Sequence, residues 1–101
     1  MKLSIKERIK LLSMLPEKAN FATLKIIRDI EGELSFSQQE IIDFEMKMEG
    51  EMVAWNPAKE VEKDIEIGKT LIDIVKGELK KLDDAGELTK DHLTIFEKFT
   101  G

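Results

Sequence analysis

Two S-x-x-E tetrapeptides, Ser4-Ile5-Lys6-Glu7 and Ser37-Gln38-Gln39-Glu40, constrain this chain more than any other feature. In each, the serine hydroxyl is placed to accept from the backbone N–H three residues on. The glutamate carboxylate reaches back to the serine N–H, so a helix starts at that point. The apolar residues that follow mark the face to be buried. Ile5, Ile9 and Leu12, widened by Leu11 and Leu15, recur at helical spacing. Pro16 ends the run, because proline disfavours helical geometry in the residue before it. Asn20 is placed to cap a second helix, in which Phe21, Leu24, Ile27 and Ile30 share a face with Ile26 beside them and Gly32 lies near the end. Phe36 and Ile41 have the spacing of a hydrophobic staple around the second tetrapeptide.

Beyond Ile41 the period changes from helical to alternating. Phe44, Met46 and Met48 alternate with Glu45, Lys47 and Glu49, which predicts a half-buried strand. Gly50 supplies a turn, since glycine accepts positive φ freely, and Met52 to Trp55 return as the second strand of a hairpin closed by Asn56-Pro57. Residues 58–68 fit either a helix or a short strand through Ile65 and Ile67. The strand is favoured, because Gly68 in mid-helix costs about 1 kcal/mol relative to alanine. A third strand also gives support to a hairpin that is marginal alone. From Lys69 the helical stripe is Leu71, Val75, Leu79 and Leu82, with Gly86 as its C-terminal cap. Thr89 then caps a final helix burying Leu93, Phe96 and Phe99.

These elements predict an α+β fold, a helix-dominated single domain over residues 1–101 with about five helices around a small antiparallel hairpin or sheet. Cysteine is absent, which removes disulfides, thiolate nucleophiles and thiolate metal ligands. No apolar run approaches the ~20 residues that cross a bilayer, and Lys2, Lys6, Glu7, Arg8 and Lys10 interrupt any leader-like stretch at the N-terminus. The expectation is a cytoplasmic protein. The net charge of −5 is unevenly spread. Residues 1–30 carry seven basic and three acidic groups (+4), residues 31–68 three and eleven (−8), and residues 69–101 six and seven (−1). An acidic middle repels nucleic acid phosphates and suits a basic protein partner.

Candidate chemistry is sparse. His92 is the single imidazole and is expected to be an exposed helix residue; Asp83 and Asp84 are adjacent rather than one turn apart. A structural zinc site needs four converging nitrogen or sulfur ligands, and no phosphate loop, nucleophile elbow or dinucleotide fingerprint occurs. The expectation is a chain that is not an enzyme, with no cofactor, no metal ligands and no catalytic residues. Three helices before a hairpin is also the order of a winged-helix DNA reader. The would-be recognition helix, however, offers Gln38, Gln39, Glu40 and Asp43 without arginine, and the wing adds only Lys47. Lys2, Lys6, Arg8, Lys10, Lys18, Lys25 and Arg28 are read as solvent-facing charges paired with nearby acids. The hairpin is the remaining candidate. Phe44 and Trp55 are assigned to core packing, whereas Met46, Met48, Glu49, Glu51 and Met52 are assigned to partner binding. Methionine adapts to varied surfaces, and strand edges recruit partners.

Several stretches occur together: Leu34-Ser35-Phe36-Ser37 with its acidic helix, the lone Trp55, Leu79-Lys80-Lys81-Leu82-Asp83, and Leu88-Thr89-Lys90-Asp91-His92-Leu93 leading to Phe96-Glu97-Lys98-Phe99. In this combination the chain resembles small helical proteins encoded by bacteriophages and prophages. That group has no established activity, so no site residue carries over. The resemblance implies an accessory role during infection, in a bacterial cytoplasm. The expected function is therefore non-enzymatic protein–protein interaction, acting on a host process or in assembly. The alternatives are a winged-helix-like DNA-binding regulator and a homo-oligomeric structural component formed by self-association.

Overall fold

Both tetrapeptides start helices in the computed structural model, which describes residues 1–100. In chain order the first elements are β1 (Lys2–Leu3), α1 (Ile5–Met14), α2 (Phe21–Leu34) and α3 (Gln38–Asp43). A hairpin of β2 (Lys47–Glu49) and β3 (Met52–Ala54) follows, then a 3₁₀ turn (Pro57–Lys59) and β4 (Lys63–Asp64). The chain ends with α4 (Lys69–Asp84), a second 3₁₀ turn (Lys90–His92) and α5 (Leu93–Thr100). Ser4 Oγ accepts from the Glu7 N–H at 3.2 Å while Glu7 Oε1 accepts from the Ser4 N–H at 2.9 Å. Ser37 and Glu40 repeat the arrangement at 3.1 and 3.0 Å. Asn20 caps α2 through the Thr23 N–H.

The fold is α+β, but the sheet is not central. β1 and β4 pair antiparallel, Lys2 opposite Asp64 and Leu3 opposite Lys63, and the hairpin forms a separate two-stranded sheet. The favoured strand in residues 58–68 thus exists two residues early. It supports the N-terminus rather than the hairpin, and the two ladders never join. Leu3 and Ile65, completely buried, carry this small ladder into the core. Gly68 is not in mid-helix but caps α4. The core is mainly helical: Leu11 of α1 with Leu15 just past its end, Ile27 and Ile30 of α2, Val75 and Leu79 of α4. α4 ends as expected, with Gly86 at φ +68 donating to the Asp83 carbonyl and Glu87 donating to the Leu82 carbonyl, a Schellman closure.

Three burial expectations are corrected. In α5 the buried residues are Ile95 and Phe99, whereas Leu93 is exposed, because the helix is entered through the 3₁₀ turn and is rotated relative to one starting at Thr89. Phe44, expected to begin a strand, is instead the buried C-terminal cap of α3, and β2 is exposed along its whole length. His92 is buried, not exposed: its Nδ1 accepts from the Thr89 N–H at 3.0 Å and closes the turn before α5. Burial, aided by the charge of Lys10 and partly opposed by Asp91, holds its imidazole below the ordinary value.

The largest departure concerns Arg8, read as a surface cation and in fact 1% exposed. Its Nε donates to the Leu34 carbonyl at 3.1 Å and its Nη2 to the Ser35 carbonyl at 2.7 Å, so two carbonyls at the end of α2 are satisfied by a cation. The same guanidinium holds Glu40 bidentately, Nη1 to Oε2 at 2.6 Å and Nη2 to Oε1 at 3.2 Å. Phe36 lies over its carbon at 4.0 Å from the ring centroid. One α1 residue therefore clamps the end of α2 to the beginning of α3.

Acid should open this clamp through Glu40. The hydrogen bond from Arg8, helped by the Ser37 N–H and opposed by burial, pulls its carboxyl from 4.5 down to about 2. Folded Glu40 binds its proton less readily than the unfolded chain does. Its stabilisation is therefore complete above pH 4.5 and is lost as pH falls towards about 2. The amount is on the order of 3 kcal/mol. Urea midpoints should fall across that window, and Glu40→Gln should be less stable at neutral pH and show a shallower acid limb. An unchanged acid slope in that variant contradicts the assignment.

Candidate protein-docking groove

Beside the clamp, α1, α3 and the hairpin enclose an open groove of about 570 Å³. Ile9 and Leu12 come from α1, Phe36 from just before α3 and Ile41 from within it, Met46 from just before the hairpin, and Met48 and Val53 from its strands; Lys47 is the one cation among its lining residues. The wall is built by strand alternation. Met48 pairs with Val53 across the ladder, so both point to one face, towards α1. Glu49, paired with Met52, lies on the other. The hairpin does not close on the helix, and Met48 stays 70% exposed although it borders an apolar surface. A second depression of about 410 Å³ shares Ile9 and Val53 and adds Lys10, Glu51, Met52 and Trp55.

The hairpin stands on a narrow stem. Its two-residue turn, Gly50-Glu51, places Gly50 at φ +67, the positive value such turns require of their first residue. At the base, the Asn56 N–H donates to the Phe44 carbonyl at 2.9 Å and Asn56 Nδ2 donates to Glu45 Oε2 at 2.9 Å. Glu45 has φ +55, a left-handed conformation costing a side-chain-bearing residue about 1–2 kcal/mol. It closes α3, donating to the Ile42 carbonyl while Met46 donates to that of Ile41. Glycine would satisfy the backbone here, but only a longer side chain also reaches Asn56.

The residues assigned to partner binding are divided by this geometry. Met46 and Met48 line the groove, Glu51 and Met52 border the second depression, and Glu49 sits on the outer face, lining neither. Of the two residues assigned to the core, Phe44 is buried and Trp55 is half-buried beside the second depression. The sequence reading put Ile9 and Leu12 on the buried stripe of α1; Leu12 does pack against the core, and both are half-buried, but that reading missed that they also line the groove. Their signal was the width of the α1 stripe, too broad for one buried face. It also missed that Phe21, assigned to the core face of α2, is 78% exposed.

Other polar clusters pair within the fold, although Glu7 Oε2 is buried without a hydrogen-bond partner. Lys98 Nζ donates to Glu7 Oε1 at 2.7 Å and to the Lys2 carbonyl at 2.6 Å, tying α5 to the N-terminal elements. Burial pushes the Glu7 carboxyl up, yet Lys98 and the Ser4 N–H outweigh it and hold it below the usual range. Among the described residues no group of three or more histidine or acidic side chains is placed to hold a metal ion, and no helix is long and apolar enough to cross a membrane. Compared with protein-family models, curated proteins and solved structures, the chain matches none.

The hairpin should open far more readily than the core, because its ladder bonds are its own and few side chains pack beneath it. Backbone amides of residues 47–54 that take part in the ladder should exchange with deuterium orders of magnitude faster than those of Leu71–Leu79. Equal protection of the two segments would mean that the hairpin unfolds only with the whole domain.

Proposed function

We propose that this chain is a non-enzymatic protein–protein interaction domain, with the groove between α1, α3 and the hairpin as its docking surface. The observation that carries this is the apolar groove left open beside Met48. A concave, mostly apolar cleft of this volume is the form that binding sites take. α3 and the hairpin belong to the acidic block of residues 31–68. The partner of this reading is a protein segment with apolar anchors for the groove, such as an amphipathic helix, whose basic residues would meet the acidic surface around the groove and not its lining, where Lys47 is the one charge. Methionines suit the walls of such a site, since they repack around different anchors. The resemblance to phage-encoded proteins supports an accessory factor acting on a host process or in assembly, in the bacterial cytoplasm. Against the winged-helix alternative, α3 presents no basic side chain, and Arg8 is already committed to Glu40 and the end of α2.

Retention of a partner from bacterial lysate, with and without nuclease, tests this when paired with groove variants. The wild-type chain should retain one stoichiometric protein regardless of nuclease. Met48→Lys, at an exposed position, should weaken retention at least about tenfold. Reversing Glu49 and Glu51 to lysine should weaken it more modestly while thermal melting is unchanged. Glu45 is left intact because of its bond to Asn56. Retention indifferent to all three changes, or lost on nuclease treatment, would contradict the proposal.

A further inference from the structure

A third capping box stands at the entrance to α5, with a different acceptor from the other two. Thr89 occupies the cap and His92 the position three residues on, where Ser4 and Ser37 have Glu7 and Glu40. The ring reaches back as those carboxylates do. Its Nδ1 accepts from the Thr89 N–H at 3.0 Å, and Thr89 Oγ1 lies 3.0 Å from the same nitrogen. Nδ1 can accept only in the neutral ring that carries its proton on Nε2. An ordinary carboxylate stays an acceptor down to about pH 4, whereas an imidazole changes charge between about pH 5 and 8.

The surroundings of the ring disfavour a second proton. His92 is 6% exposed, in a turn packed against α1 and the start of α5. From α1, Lys10 opposes a positive ring, while Lys6 engages the neighbouring Asp91 at 2.6 Å and blunts its attraction. The other charges of α1 are committed elsewhere, Glu7 to Lys98 of α5 and Arg8 to Glu40. Glu97 of α5 and Lys90 of the turn itself face solvent. Glu51 of the hairpin borders the same depression as Lys10 and Asp91.

We propose that residues 89–92 form a proton-operated latch: a proton taken from solvent by His92 Nδ1 turns an acceptor into a donor, frees the Thr89 N–H and opens the turn between α4 and α5. The opening is local. Ile95 and Phe99 hold α5 in the core, and Lys98 ties it to Glu7, all beyond the turn. Asp91 moves with the turn, so one wall of the second depression shifts with it. Burial and Lys10 make the closed turn bind its proton less readily than an open or unfolded chain does. The stability that the closed turn gains is therefore complete above pH 6.5 and is lost as pH falls below it, before the loss at Glu40 begins near 4.5.

Nuclear magnetic resonance reads the latch on the wild-type chain, in which His92 is the single histidine. At about pH 8 the ring nitrogens should show Nε2 protonated and Nδ1 bare. As pH falls, the ring should titrate with a midpoint below 6.5, and the Thr89 amide signal should move with the same midpoint. Across that step the deuterium-exchange protection of the Thr89 and His92 amides, corrected for the intrinsic rate, should fall at least about tenfold. Protection of Leu71–Leu79 should hold. His92→Gln sets an acceptor that does not titrate at the same position and should abolish the step. A proton found on Nδ1 at about pH 8, a midpoint at or above 6.5, or a Thr89 amide that does not follow the ring each overturns the inference. These three readings need no variant to fold. A step that persists in a folded His92→Gln overturns it as well.

Discussion

The guanidinium of Arg8 is the point on which the arrangement of the first three helices depends. Its bonds to the Leu34 and Ser35 carbonyls occupy groups that a helix end leaves unpaired, and its fork holds Glu40 at the start of the next helix. A cation so fully withdrawn from water is tolerable only with nearly every donor used. That requirement ties the end of α2 and the start of α3 to one side chain of α1. Glu40 serves twice, since the oxygen that accepts from Ser37 also accepts from Arg8. The capping box and the clamp are one network. Phe36, between them, stacks on Arg8 and lines the groove, so the groove is built directly on the buried charge.

How much of this was legible in the sequence follows from the range of each interaction. Local chemistry was readable: the serine and asparagine caps, the glycine at Gly50, the Schellman glycine at Gly86 and the buried stripe of α4 all lie where residue spacing placed them. Chemistry between distant residues was not. Nothing within a few residues of Arg8 announces that Glu40, 32 positions away, will bury it, and a cation on an amphipathic helix ordinarily faces water. The same limit applies to His92. Its partner is only three residues off, but its burial is imposed by the packing of α1 against the 3₁₀ turn. The pairing of β4 with β1 joins residues 60 and 62 positions apart, and a two-residue ladder leaves no periodicity to detect.

The candidate site was legible in part for a related reason. Alternation located Met46 and Met48 on one face of a hairpin, and that face does border the groove. What alternation cannot supply is the opposing surface. Ile9 and Leu12 read as core because helical periodicity measures which residues share a side, not whether that side is covered. An α1 stripe wider than one neighbour can bury leaves a margin, and the hairpin stands over that margin without filling it. The strained backbone at Glu45 belongs to the same arrangement: it turns the chain out of α3 and fastens the stem through Asn56.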